Sequence, residues 1–460
     1  MAPALGLAFA FSFFENTNSA PQPLCFFLKN QFLKMPFIKK KYGLLALLLA
    51  QSLAVFSQNK DPLFQNSVWL DDIRTVQFRG ADRMPFVHLR GAIELRFDLL
   101  GDEPANFLYQ IIHCNADWTP SDLQEAEYQE GFSENRMRDY ELSLFAQQKY
   151  INYKLRLPNA DVKWTKSGNY LLKIFLDDEE KTPALIRRFI VFEENWPIAI
   201  NSVVPSRVGK MQTHHELDFF VSQKGSRPIN PREAWATILQ NGRWDNALTN
   251  IHERTVGVDG LNYDFQDSIV FAAGKEFRYF DISTLEYKTE RVEQINLNGK
   301  WPQIWLRPDK LRGDSPGLNL DDNNGEFEVH LTNPNPGRPI QPLVQADYAL
   351  VHFTLKRESE VENGEVYLFG GLTDWQIQPQ FRCVYDEKAR AYFGEAYLKQ
   401  GIYNYEYVVF DPKTGKIDHS DLEGNWFATT ARYTVISYWR PHGERYDRVM
   451  GLRTIVTSRI

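Results

Sequence analysis

The chain has 460 residues, 43% of them hydrophobic and 24% charged, a composition that excludes a disordered polymer and permits sizeable cores. That length exceeds one ordinary sandwich and predicts two to four domains. The formal net charge of −7 argues against nucleic acid and anionic lipid as partners, since both need clustered Lys and Arg.

In chain order, the first feature is a leader. Met35 opens a segment with Lys39, Lys40 and Lys41, then an apolar run from Gly43 to Ala54, then Val55-Phe56-Ser57. These are the three parts of a secretory signal peptide, with a cut expected between Ser57 and Gln58. The run is shorter than the roughly 20 apolar residues that span a bilayer. Residues 1–57 are therefore expected to be an upstream extension plus signal peptide, and the mature chain a periplasmic protein of a Gram-negative cell, with no membrane span. No Cys follows the cut, so no lipid anchor is expected. Without the five Lys and one Glu of the leader, 47 basic and 58 acidic residues remain, a net charge of −11.

Strand signals dominate the mature chain. The 21 Tyr and 32 Phe favour pleated surfaces. Ile93 to Leu99 alternates apolar and charged residues, one face for a core and one for water. Tyr153 to Leu157 repeats the pattern and stops at Pro158-Asn159. Tyr170 to Leu176 comes after the turn signal Ser167-Gly168-Asn169, and Ile186 to Phe192 is another apolar run. These predict an N-terminal β-sandwich domain over 58–196. Within it the polar, acidic stretch from Thr119 to Tyr150 has no clean period, and Thr119-Pro120-Ser121-Asp122 is read as the cap of a short helix.

A middle β domain is expected over 197–340. Its strands are Glu216 to Val221 and Phe277 to Ile282, with a break at Pro228 to Pro231. Trp235 to Leu239, Asn241-Gly242 and Arg243-Trp244 predict a hairpin with a type I′ turn. Asn333 to Pro339, rich in Pro and Gly, reads as a stiff linker. A C-terminal domain then covers 341–460, with strands at Ala349 to Leu355, Glu365 to Phe369, Tyr403 to Phe410 and Tyr433 to Tyr438. The fold class expected is all-β, tandem immunoglobulin-like sandwiches with few short helices.

No motif makes a convincing catalytic, cofactor or metal site, and none is assigned. His214-His215-Glu216 is the tightest titratable cluster, but neighbours on a strand face apart and cannot readily share a metal. His113-Cys114 fails as a nucleophile pair for the same reason. Asp321 to Glu326 lacks the acid spacing of a calcium loop and reads as a hairpin turn. Arg312-Gly313-Asp314 is too short to be specific. The mature cysteines, Cys114 and Cys383, each sit in an apolar strand pattern and are expected to be buried thiols, though the compartment would permit one disulfide.

Two resemblances rest on longer patterns. Val366 to Phe369, Gly370-Gly371, Thr373-Asp374-Trp375 and later Gly401-Ile402-Tyr403-Asn404-Tyr405 resemble the early-set immunoglobulin-like modules that bind glycogen-type glucans. In such modules the loop Trp stacks on sugar, which makes Trp375 the candidate contact for a glucan ligand or a partner. The alternative is that Trp375 packs within its own fold or on a protein. Over the whole chain, Arg74 to Phe78, Ile111 to Trp118, Thr165 to Leu172, Leu239 to Asn246 and Thr373 to Trp375 together resemble the type IX secretion system plug protein family. The resemblance implies a periplasmic, non-enzymatic protein that binds the inner mouth of the outer-membrane translocon barrel and closes it when no cargo is present.

Overall fold

The computed structural model describes residues 64–223, 230–313, 322–333, 337 and 339–457. The expected leader and the cut at Ser57-Gln58 lie outside the described residues, as do Pro228-Ile229, Asp314, Asp321 and Pro334 to Pro336. Among the described residues the only α-helices are Glu125–Tyr128, Pro342–Gln345 and Ser420–Glu423, so the fold is all-β. No described helix is long and apolar enough to cross a membrane.

The first sandwich has two sheets. One runs in the order Ile73–Arg79, Ile93–Leu100, Tyr150–Leu157, Asp139–Leu142. The other runs Ser67–Val68, Pro183–Phe192, Gly168–Leu176, Phe107–Cys114, Asn135–Arg136, with Phe86–His88 parallel to the end of Pro183–Phe192. Alternation turns Ile93, Leu95 and Phe97 of the first sheet toward Tyr109, Ile111, Tyr170 and Leu172 of the second.

The second sheet is buried on both faces. Tyr170, Leu172 and Ile174 face the core just described, while Leu171, with Ile186 and Ile190 of the neighbouring strand, faces a different cluster. This accounts for the unbroken apolar runs that the sequence shows there: a strand between two apolar layers has no water-facing side to mark with charge. The layer beyond it is a sheet of the middle sandwich, ordered Leu248–Ile251, Ala234–Gln240, Arg432–Trp439, Arg448–Val456. Its other face packs on Ile198–Val203, His214–Ser222, Gly260–Tyr263 and Thr255–Val256, with Val270–Ala272 paired to His214–Ser222, through a core of Leu217, Phe219, Ala236, Ile238, Tyr433 and Val435.

The sheets do not respect the boundary expected near 340. Arg432–Trp439 pairs with Ala234–Gln240 over seven residue pairs, so the C-terminal strands complete the middle sandwich. Conversely Arg278–Asp281 pairs with Gly401–Asp411, and Gln303–Leu306 with Tyr348–Lys356, so the end of the expected middle domain belongs to the third unit. The Pro-rich stretch marks where the backbone leaves regular structure. It carries no information on which sheet claims the strands on either side. The third unit is one sheet of eleven strands, eight along a hydrogen-bonded path and three paired to its sides, and it folds back on itself, bringing Phe280 and Phe353 to 5.4 Å between ring centroids around a single core.

Two local expectations also change. Asn241 and Gly242 have φ of 52° and 72°, the dihedral signs of the type I′ turn, but the return strand is Leu248–Ile251 and Trp244 packs instead against Trp118. The short helix begins after Gln124, whose backbone N–H donates to Glu127 at 2.8 Å, and Ser121 instead bonds His113.

Candidate functional site

The chemistry-bearing segments gather at the joints between the units. Between the first and middle sandwiches, Cys114, Trp118, Leu171, Ile186, Ile190, Leu239, Ile436 and Tyr438 form one apolar cluster. Polar groups register it. The Tyr438 hydroxyl donates to Asn169 Oδ1 at 2.9 Å, and Asn169 Nδ2 donates to the Ala116 carbonyl at 3.2 Å. The Ala116 N–H donates to Asp447 at 2.8 Å and Arg440 donates to Asn115 Oδ1 at 2.6 Å. Trp118 meets Trp244 edge-on at 4.9 Å, and the Arg188 guanidinium lies 4.5 Å from the Trp118 ring centroid. Buried amides and hydroxyls satisfied across a joint fix its register, because any slip would leave them unpaired in an apolar layer.

Between the first sandwich and the third unit the joint is built on charge. Lys399 Nζ lies 2.6 Å from Asp98 Oδ2, and both side chains have zero exposure. The Tyr348 hydroxyl and Asn152 Nδ2 donate to the same carboxylate at 2.6 and 2.7 Å, and Lys399 also donates to the Leu343 carbonyl at 2.6 Å while lying 3.9 Å from the Tyr150 ring centroid. Burial pulls the Lys399 ammonium below its ordinary pKa, against the raising effect of Asp98. A bulge between Arg74 and Gln77 puts Thr75 at φ 52° and sends its hydroxyl to Tyr348 at 2.6 Å.

Trp375 closes the last joint. Its loop leaves Glu365–Phe369 through Gly370, makes a 3₁₀ turn at Gly371–Thr373, and holds Asp374 and Trp375 both at φ 56°. The indole packs edge-on against Phe277 at 5.7 Å and Phe369 at 5.6 Å, and Arg243 stands 5.5 Å from its centroid. Its Nε1 donates to Glu326 at 3.4 Å. Burial raises the Glu326 carboxyl, with Arg79 opposing. A Cβ on Gly325, itself at φ 84°, would stand 2.2 Å from the indole, so only glycine fits there. Asp374 reaches Arg187 of the first sandwich at 3.2 Å. Val76, Arg187, Phe327, Gly371 and Asp374 line both an arginine-rich recess of about 90 Å³ and a wider groove of about 480 Å³.

Residues 72–193 match the family model described as the type 9 secretion system plug protein 1st domain. The chain carries a plug-family first domain. A crystal structure of a hypothetical protein from Parabacteroides merdae is similar well beyond that plug domain, with a TM-score of 0.81 and 29% identity over 86% of this chain and 99% of that one. No curated protein matches the chain.

The match lands on the first sandwich, and the segments that carry the sequence resemblance are its joints and those of its neighbours. Ile111 to Trp118 and Thr165 to Leu172 meet Leu239 to Asn246, whereas Arg74 to Phe78 of the first sandwich faces the third unit and Thr373 to Trp375 of the third unit faces the first sandwich. The remaining candidates have structural partners. His215 is hydrogen-bonded to Tyr433 at 2.9 Å and to the Phe427 carbonyl at 2.7 Å, while His214 turns to Thr213 at 2.7 Å. Glu216 accepts from the Ser206 and Asp267 amides, both at 2.8 Å. Cys114 and Cys383 are buried free thiols in separate clusters, each pushed up to about 12 by burial. Asp322 accepts from the Asn324 amide at 3.0 Å, inside the turn ahead of Phe327–Val329. Sequence reasoning missed Asp98 and Lys399 altogether. Each sits in an alternating strand where a charge normally signals the water face.

Proposed function

We propose that this protein is the periplasmic stopper of a type IX secretion translocon, seated on the inner mouth of the outer-membrane barrel and closing it in the absence of cargo. The observation that carries this reading is a plug-family first domain built into a body whose units are held by hydrogen-bonded and ion-paired joints. A stopper must resist deformation at the mouth of a wide pore, and interdigitated β layers deform little. The plug family is not an enzyme family, and the polar clusters described above are knitted into joints and strands, which suits a binding role better than turnover. A mature chain of net charge −11 would associate faster with a basic rim, a rate effect that fades with salt.

Two measurements test it. A tagged chain should recover the translocon barrel from detergent-solubilised outer membranes. Deleting the gene should make cells sensitive to vancomycin-sized antibiotics. If the barrel is not recovered and the deletion strain stays impermeable, the reading fails.

A further inference from the structure

The edge of the first sandwich that carries Asp139–Leu142 is unlike an ordinary sheet edge. That strand is the last in its sheet, and among the described residues no strand pairs with its outer side. All four of its residues are exposed. In register, Tyr140 stands opposite Tyr153 and Leu142 opposite Ile151. Tyr153 and Ile151 belong to the sandwich core, so Tyr140 and Leu142 lie on the inner face. They are nevertheless 46% and 53% exposed. The chain then adds Leu144 and Phe145, the latter 89% exposed.

This lip is held in place. Ser143 N–H donates to the Tyr150 carbonyl at 2.9 Å, Leu144 N–H to Val344 at 2.7 Å, and Gln147 N–H to Asp347 Oδ2 at 2.7 Å. Ala146, one residue beyond, is buried against Tyr150 and Tyr348. Phe145 itself has a φ of 65°, a left-handed conformation that strains a bulky residue. Soluble proteins usually guard open edges with Pro, Lys, bulges or a covering loop. This short edge is guarded by charge on its outer face, at Asp139 and Glu141, while four apolar side chains on a fixed backbone flank its open side.

The same register says what would cover it. Asp139 and Glu141 point to the outer face, opposite Lys154 and Asn152. A second copy of this chain added across the edge would bring two sets of these carboxylates together, which disfavours self-pairing. A strand with Lys or Arg on that face would pair with them, and its apolar residues, on the alternate face, would cover Tyr140 and Leu142.

We propose that the open edge of Asp139–Leu142, with Leu144 and Phe145, docks an extended segment of a protein partner in which apolar and basic residues alternate, added as a further strand. The proposal deepens the stopper reading and rests on it for the partner's identity. The experiment compares the full chain with Tyr140→Lys/Leu142→Lys and with Phe145→Ser. A control, Val208→Lys/Val258→Lys, alters apolar residues that are 81% and 86% exposed elsewhere. Capture of the translocon barrel should fall at least tenfold in both edge variants and be unchanged in the control, at matched thermal midpoints. If the wild type captures the barrel and the edge variants capture it equally, this proposal fails and the stopper reading stands. If the wild type captures nothing, the stopper reading fails. A synthetic Lys-Val repeat peptide then decides by fluorescence anisotropy: binding at least tenfold tighter to the wild type than to the edge variants, and tighter than a Glu-Val peptide, supports the edge as a strand acceptor. No such difference overturns it, as does edge-dependent dimerisation of the chain in sedimentation.

Discussion

His113 illustrates how one residue can be local in sequence and long-range in consequence. Its ring lies among Tyr128, Tyr170 and Tyr446, with Nδ1 near Ser121 Oγ at 2.9 Å and Nε2 near the Ser167 carbonyl at 3.1 Å. Burial takes its pKa down to about 4, with the Ser167 carbonyl opposing and Lys166 adding to the fall. The unfolded imidazole titrates near 6.5. Between these values the unfolded chain binds the extra proton, so stability is full above about 6.5 and declines as pH falls toward 4. The gap amounts to about 3 kcal/mol at most, at roughly 1.4 kcal/mol per unit. Urea midpoints measured from pH 7 to 4 should therefore drop more steeply in the wild type than in His113→Gln. Parallel curves would show that the ring stays neutral for no energetic reason. The alternation of faces around His113 and Cys114 was legible from their adjacency on a strand. The depth of the imidazole was not, because three of its neighbours come from elsewhere in the chain.

At the scale of elements, the strands themselves were legible and their partners were not. Glu365–Phe369 lies where its pattern predicts, and Ile93–Leu100, Tyr150–Leu157 and Arg432–Trp439 differ from expectation only at their ends. Yet Arg432–Trp439 and Arg448–Val456 cover one edge of Ala234–Gln240, some two hundred residues earlier in the sequence. Ending the chain at residue 430 should leave Ala236 and Ile238 without half their sheet, and also uncover Leu171, Ile186 and Ile190 of the first sandwich. Burying such aliphatic side chains is worth about 1.5–3 kcal/mol each. The truncated chain is expected to bind the dye ANS strongly and to elute as aggregate in gel filtration. A monomeric, dye-silent product would mean that the middle sandwich does not need its C-terminal strands.

For the molecule as a whole, the Asp98–Lys399 pair is the sharpest test of whether the first sandwich and the third unit act together. Removing one partner of a fully buried pair leaves an uncompensated charge and costs about 3–5 kcal/mol. Lys399→Met should lose stability of that order, and Asp98→Asn/Lys399→Met should recover a substantial part of it in a double-mutant cycle. If the units act as one body, denaturation tracked by Trp fluorescence and by circular dichroism should give coincident curves in the wild type and separated ones in Lys399→Met. Coincidence in both proteins, with no loss of stability, would remove the joint from the account of rigidity.

What the sequence determined by itself was the β class, the positions of the long strands, and the resemblance that the match over 72–193 bears out. Strand character is a local property: period-two alternation and turn residues act over a few positions, and each segment reports them independently. The tertiary structure alone decided which strands share a sheet, that one sheet is buried on both faces, that a lysine and an aspartate three hundred residues apart in sequence meet without water access, and that Asp139–Leu142 is left with an open side. Hydrogen bonds between distant strands and the desolvation of paired charges depend on what the rest of the chain brings alongside, and no local pattern carries that information.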